Sequence, residues 1–203
     1  MKTKRQSKKK KGFDLREQYK FSWEYLKECK NYIWIIVGVF FAFALFGYFV
    51  QPSQEIVDMI MKFIEELLAQ TEGMSRGELV GFIFLNNLQS SFLGLIFGFV
   101  LGIFPILAAV ANGYLVGFVA HLSVAEAGAI SLWKLFPHGI FELPAVFIAL
   151  GMGMKFGTFV FQKKKLDSFN RFLIESLRVF IFIVLPLLVI AGIIEGTLIF
   201  LMS

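Results

Sequence analysis

The residues best placed to do chemistry lie in one stretch, Pro137-His138-Gly139-Ile140-Phe141-Glu142-Leu143-Pro144-Ala145. A histidine and a carboxylate stand one helical turn apart, between two prolines, at the head of a long apolar run. Such a pair can relay a proton, begin a metal site, or satisfy itself through an intrahelical hydrogen bond. A metal site needs three or four ligands, and His121 is the only other histidine, so no metal is expected. Nucleophilic chemistry has no partner here. There is no G-x-S-x-G, H-E-x-x-H or Walker motif, and the single cysteine, Cys29, falls on the opposite side by the topology below. No cofactor is implied, and an intramembrane enzyme is the weakest functional reading.

The surroundings of that stretch decide how it must be read. The chain has 203 residues, 57% hydrophobic and only 17% charged, with 26 phenylalanines. A soluble domain carries about 25% charged residues. A bilayer accepts the surplus of apolar side chains, because a spanning helix needs about 20 of them in a row. The expected fold is therefore all-α: one membrane domain over residues 13–203, preceded by a disordered polybasic tail at 1–12. Its spans fall at about 31–50, 78–104, 106–122, 137–161 and 179–202. No signal-peptide cleavage pattern follows the tail, so the first apolar segment is expected to stay.

Two amphipathic helices flank the first span. In residues 13–30, Leu15, Tyr19, Trp23 and Leu26 recur at helical spacing among charged positions. This segment is expected to lie along the inner surface and turn into span one, where Trp23, Tyr25, Tyr32 and Trp34 form an aromatic belt. In residues 53–72, Ile56, Ile60, Phe63, Ile64, Leu67 and Leu68 share a face, with Glu55, Asp58, Lys62, Glu65 and Glu66 over much of the rest. Gly73 and Gly77 are expected to break it.

Charge gives the threading. Of 20 Lys and Arg, 11 lie in residues 1–30 and 6 in 155–178, against 2 in 51–78 and 1 in 121–137. Five spans put the two basic segments on one side. The positive-inside rule then places the N-terminus in the cytoplasm and the C-terminus outside, in the cell membrane. The net charge of +5 thus reports topology, and nucleic acid is not an implied partner.

Depth sorts the polar residues. At about 1.5 Å per residue, Asn86, Asn87, His138, Glu142 and Glu195 all fall in the outer half of the bilayer, on three spans. Asn112 alone falls in the inner half. Intramembrane charges cost on the order of 2.5–3.5 kcal/mol at the centre and face the bundle interior or a wet cavity. The five outer residues are expected to converge on one outward-opening node, which either tethers the bundle or lines a site. Small residues mark the packing faces: Gly94/Gly98/Gly102, Ala109/Gly113/Gly117, Ala149/Gly153/Gly157 and Gly192/Gly196. Spans two, three and four are expected to form the centre by close packing, with a homodimer seam as the alternative use of these faces.

These residues, in this order, carry a resemblance. Asn86-Asn87, the Gly98 to Pro105 segment followed by Asn112-Gly113 and Gly117, the Pro137-His138-Gly139-x-x-Glu142-Leu143-Pro144-Ala145 element, and Gly192-x-x-Glu195 together resemble the stage II sporulation protein M family. The similarity covers roughly residues 20–202. One departure is that Thr197-Leu198-Ile199 stand where the family often has a proline. The resemblance implies a membrane scaffold for cell-wall-degrading partners during forespore engulfment. Similar proteins occur in organisms that form no spores, archaea included, so sporulation itself is not implied. No catalytic residue is carried over.

Three functions follow. The first is a scaffold that places membrane or envelope protein partners from within the lipid bilayer. The second is a transporter or channel component with an outward polar site, in the manner of proline-broken transport helices. The third is the enzyme.

Overall fold

The computed structural model describes residues 14–50, 52–130, 132 and 136–202. The basic tail assigned to 1–12 and the side chains of 136–138 and 202 lie outside that description. The elements are α1 (Leu15–Phe49), α2 (Gln54–Thr71), α3 (Arg76–Ile96), α4 (Ile103–Ala127), α5 (Phe136–Gly157), α6 (Lys165–Val179) and α7 (Leu185–Met202). No strand occurs among the described residues. Five helical stretches are long and apolar enough to cross a membrane: Leu15–Phe49, Arg76–Phe99, Ile103–Ala127, Gly139–Phe161 and Lys165–Leu201.

The first departure from the expected architecture is α1. The amphipathic segment and span one form a single helix of 35 residues, about 52 Å at 1.5 Å per residue, against about 30 Å of hydrocarbon. The N-terminal half is not left on its own at a surface; it packs on α6 and on the turn that follows it. Tyr19 stands edge-on to Phe182 with ring centroids 5.6 Å apart. The Tyr25 hydroxyl lies 3.2 Å from Ser176 Oγ, and Arg171 Nη2 donates to Glu28 Oε1 at 2.6 Å. The register is antiparallel, and it brings the described basic residues of α1 and those of α6 to one end of the bundle. A π-helical turn, Phe180–Val184, joins α6 to α7; such turns are where long helices change direction.

A second departure is the hairpin between spans two and three. The span bounds 78–104 and 106–122 place the break at Pro105. The chain instead turns at Val100–Gly102, after a 3-10 turn at Phe97–Phe99, with Leu101 and Gly102 both left-handed at φ 53° and 69°. Gly102 takes that conformation without strain, whereas Leu101 has a Cβ to accommodate. Pro105 falls in the first turn of α4, where the N–H it lacks has no intrahelical acceptor to lose. At the other end α4 runs on through Glu126 to a cap at Gly128, φ 76°. Gly77 likewise lies within α3, not between helices. Its helix starts at Ser75, whose N–H donates to Glu78 Oε2 at 2.8 Å.

The packing order also differs. The centre is α5, the most enclosed span. It contributes Phe147 and Leu150 to a core with Ile36 and Phe40 of α1 and Ala109 of α4. It also contributes Ala145, Ala149, Met152 and Phe156 to a second core with Leu95 of α3, Phe172 of α6 and Leu188 of α7. The glycines record who meets whom. A Cβ on Gly98 would collide with the backbone of Gly153, and one on Gly157 with that of Gly102. Gly113 and Gly117 instead abut the Phe40 and Ala44 carbonyls of α1. Span three therefore pairs with span one, not with span two as its principal neighbour. Packing on span one also uses Gly47, which faces Tyr114.

Helix α2 stands apart. None of its residues is buried, and none joins either core. It is strung between the C-terminal end of α1 and the start of α3.

Candidate functional site

The register that closes the glycine faces also sets the polar node. Gly94 lies against Leu150 and Gly98 against Gly153, so α3 and α5 run parallel. Gly192 lies against Phe84 and Gly196 against Val80, so α7 runs antiparallel to α3. This brings position 87 on α3 and 142 on α5 to one level, with 195 on α7 level with about 81 on α3. The Glu142 side chain is close enough to those of Asn87 and Glu195 to interact with both. Glu142 is six residues into α5 and Glu195 seven from the end of α7, roughly 9–10 Å in from the helix ends at 1.5 Å per residue.

An ionised carboxylate has no donor. A direct hydrogen bond between the two carboxyls needs a proton on one of them, and the Asn87 amide can donate to Glu142. Pro144, inside α5, removes the N–H that would have met the Ile140 carbonyl, half a turn before Glu142 along the helix, which loosens the helix beside Glu142.

The remaining sequence candidates fall elsewhere. Asn86 is exposed, about 100° round the axis of α3 from Asn87. His138 is on α5, but its side chain lies outside the described residues. Asn112 donates to the Ala108 carbonyl of its own helix at 2.8 Å and is exposed. His121 packs edge-on to Tyr48, centroids 5.6 Å apart. Among the described residues no three His, Cys, Asp or Glu side chains group as metal ligands do.

A second polar cluster at the opposite end was missed by sequence reasoning. Lys155 Nζ donates to Glu28 Oε2 at 2.7 Å, and Arg171 holds the other oxygen of the same carboxylate. The Lys155 ammonium also lies over the Tyr25 ring, 4.3 Å from its centroid, and 5.2 Å from that of Phe172. The signal was present: Lys155 falls inside the interval assigned to span four, and a cation there needs a partner.

Helix lengths, apolarity and an interior node of carboxyl and amide groups define the class as a multi-pass helical membrane protein. Comparison with known proteins makes this specific. The stage II sporulation protein M family matches residues 35–198, most of the chain, and the protein belongs to that family. An uncharacterized protein of Methanocaldococcus jannaschii is 30% identical over 131 residues, covering 58% of this chain and 54% of the relative. The chain thus spans about half the length of that relative. No solved structure matches it.

Proposed function

We propose that the protein is a scaffold of the cell membrane, placing partners that act on the envelope or the membrane, and that it is not an enzyme. The observation that carries this reading is α2, an 18-residue amphipathic helix with no buried residue. Both of its ends run within a few residues into membrane-spanning helices, which tethers it at the outer water interface. There its apolar stripe, Ile56, Ile60, Phe63 and Leu67, rests on the outer leaflet. Its acidic stripe, Glu55, Asp58, Glu65 and Glu66, then faces the water, where it presents negative charge to a basic protein partner. The family resemblance supports the same reading.

The test uses a photocrosslinker at single α2 positions in cells. Positions 58 and 65 are expected to capture protein, and positions 60 and 63 lipid. Replacing the four acidic residues by glutamine is expected to remove the protein adducts. Adducts that persist after that replacement, or lipid adducts alone at 58 and 65, would sink the scaffold reading.

The node favours a second reading, a transport component, because hydrogen-bonded carboxyls inside a bundle are a common feature of ion and proton pathways. Under it, Glu142→Gln and Glu195→Gln abolish a solute or ion flux in proteoliposomes while leaving assembly intact.

A further inference from the structure

We propose that the groove between α1 and α5 at the basic end of the bundle is a binding site for an anionic phospholipid, held by Lys27 and Lys30. The inference goes beyond the scaffold reading and does not depend on it. The groove has a volume of about 330 Å³. Its floor is apolar: Leu26 and Ile33 of α1 with Ile148 of α5, all packed on the core. The floor is closed because the two backbones approach here, where a Cβ on Gly151 would stand 2.8 Å from the Ile33 Cα. Trp23 and Trp34 also line the groove, 59% and 63% exposed.

Charge selects the ligand class. At about 100° per residue, the basic residues of α1, Arg16, Lys20, Lys27 and Lys30, fall in one sector about 80° wide. The acidic residues Glu17, Glu24 and Glu28 fall in a separate sector about 40° wide. No carboxylate lines the groove. Among the described residues neither Lys27 nor Lys30 has an ion-pair partner, and Glu28, next to Lys27, is taken by Lys155 and Arg171. Two uncompensated ammonium groups favour an anionic head group over a zwitterionic one, which brings its own cation.

Depth selects a lipid over a soluble anion. From residue 31 to 50 the chain carries no charge, so the hydrocarbon begins just past Lys30 and the two lysines lie at head-group level. Trp34 is four residues deeper, about 6 Å, where interfacial aromatic rings sit. Helices α1 and α5 run antiparallel, with Gly151 level with Ile33 and Lys155 with Glu28. Ile148 is therefore level with about residue 36, roughly 9 Å deeper than Lys30. A head group on the lysines lays its acyl chain along Ile33, Trp34 and Ile148, a depth that a water-soluble anion does not reach.

The experiment reads tryptophan quenching of the full chain in phosphatidylcholine bilayers, as lipid brominated in its acyl chains is added. Trp133→Phe leaves only the two groove tryptophans. Brominated phosphatidylglycerol is expected to reach half-quenching at a mole fraction roughly fivefold or more below that of brominated phosphatidylcholine. Lys27→Gln with Lys30→Gln, both at exposed positions, is expected to bring the ratio to about one. Lys27→Arg with Lys30→Arg keeps the charge and is expected to keep the ratio. Lys163→Gln with Lys164→Gln removes the same charge from the same end of the bundle, outside the groove, and is expected to leave the ratio unchanged. A wild-type ratio of one overturns the proposal. So does an equal loss in both glutamine pairs, which would mean diffuse attraction to a basic surface, or a loss in the arginine pair. Relief of the quenching by soluble glycerol phosphate or by an acidic peptide would reveal a different occupant and overturn it as well.

Discussion

Lys155 of α5 and Glu28 of α1 form an ion pair of 2.7 Å between an almost fully covered lysine, 8% exposed, and a glutamate that keeps 43% of its surface. The pair ties the central helix to the long first helix at the basic end of the bundle. Arg171 adds α6 to the same carboxylate. Three helices are thus fixed by one side chain, because a covered ammonium needs a counter-charge and the tip of Glu28 reaches it without being fully desolvated.

Removing one partner is therefore expected to cost more than removing both. Glu28→Gln leaves the Lys155 ammonium under-compensated and should lower stability by about 1–3 kcal/mol, reduced from the fully buried case because Glu28 is partly solvated. Glu28→Gln with Lys155→Met should recover most of that loss. Arg171→Ala, at an exposed position, should cost less than about 1 kcal/mol. Thermal unfolding in one detergent reads all three, and a double variant no more stable than Glu28→Gln would contradict the account.

The glycine faces make a sharper contrast. Gly117→Ala would put a methyl on the Ala44 carbonyl, and Gly98→Ala one on Gly153. Each is expected to destabilise by about 1–3 kcal/mol or more, since backbone must move. Gly38→Ala, with nothing within 4 Å of the added methyl, should be neutral or stabilise by up to about 1 kcal/mol. Equal melting shifts for the three would show that α1 and α4 do not touch as described.

The node should tolerate shape-conserving changes better than apolar ones. Glu195→Gln keeps an amide donor for Glu142 and removes the need for a shared proton. Glu142→Leu strands the Asn87 amide and the Glu195 carboxyl, at about 1–3 kcal/mol for each polar group left without a partner. Melting curves should order the variants with Glu195→Gln above Glu142→Leu. The reverse order would mean that these side chains do not meet.

Topology is checked with single cysteines in a Cys29→Ala background. Native Cys29 is buried and is expected to resist a water-soluble thiol reagent. Cysteines at 164 and 72 should label from opposite sides of an intact membrane, with 164 on the cytoplasmic side. Labelling of both from one side would remove a span.

The class and the five apolar stretches were legible in the residues. Apolar length and helical rise are local quantities, and depth follows from counting residues. Rotation about a helix axis is less secure. Asn86 and Asn87 are neighbours in sequence and at the same depth, yet they point about 100° apart, and only Asn87 turns to Glu142. Nor did the glycine repeats say which partner each face had. Gly113 and Gly117 read as part of a contact among spans two, three and four, and they lie on span one.

The sequence by itself determined how many times the chain crosses and which ends carry the basic charge, because burial of apolar length and charge segregation are properties of consecutive residues. Only the tertiary structure decided that α5 is the centre, that Gly113 and Gly117 meet α1, and that Lys155 answers Glu28 across 127 residues. Those facts depend on the rotation and register of whole helices, which are set by where backbones can approach most closely, and no single segment carries that information.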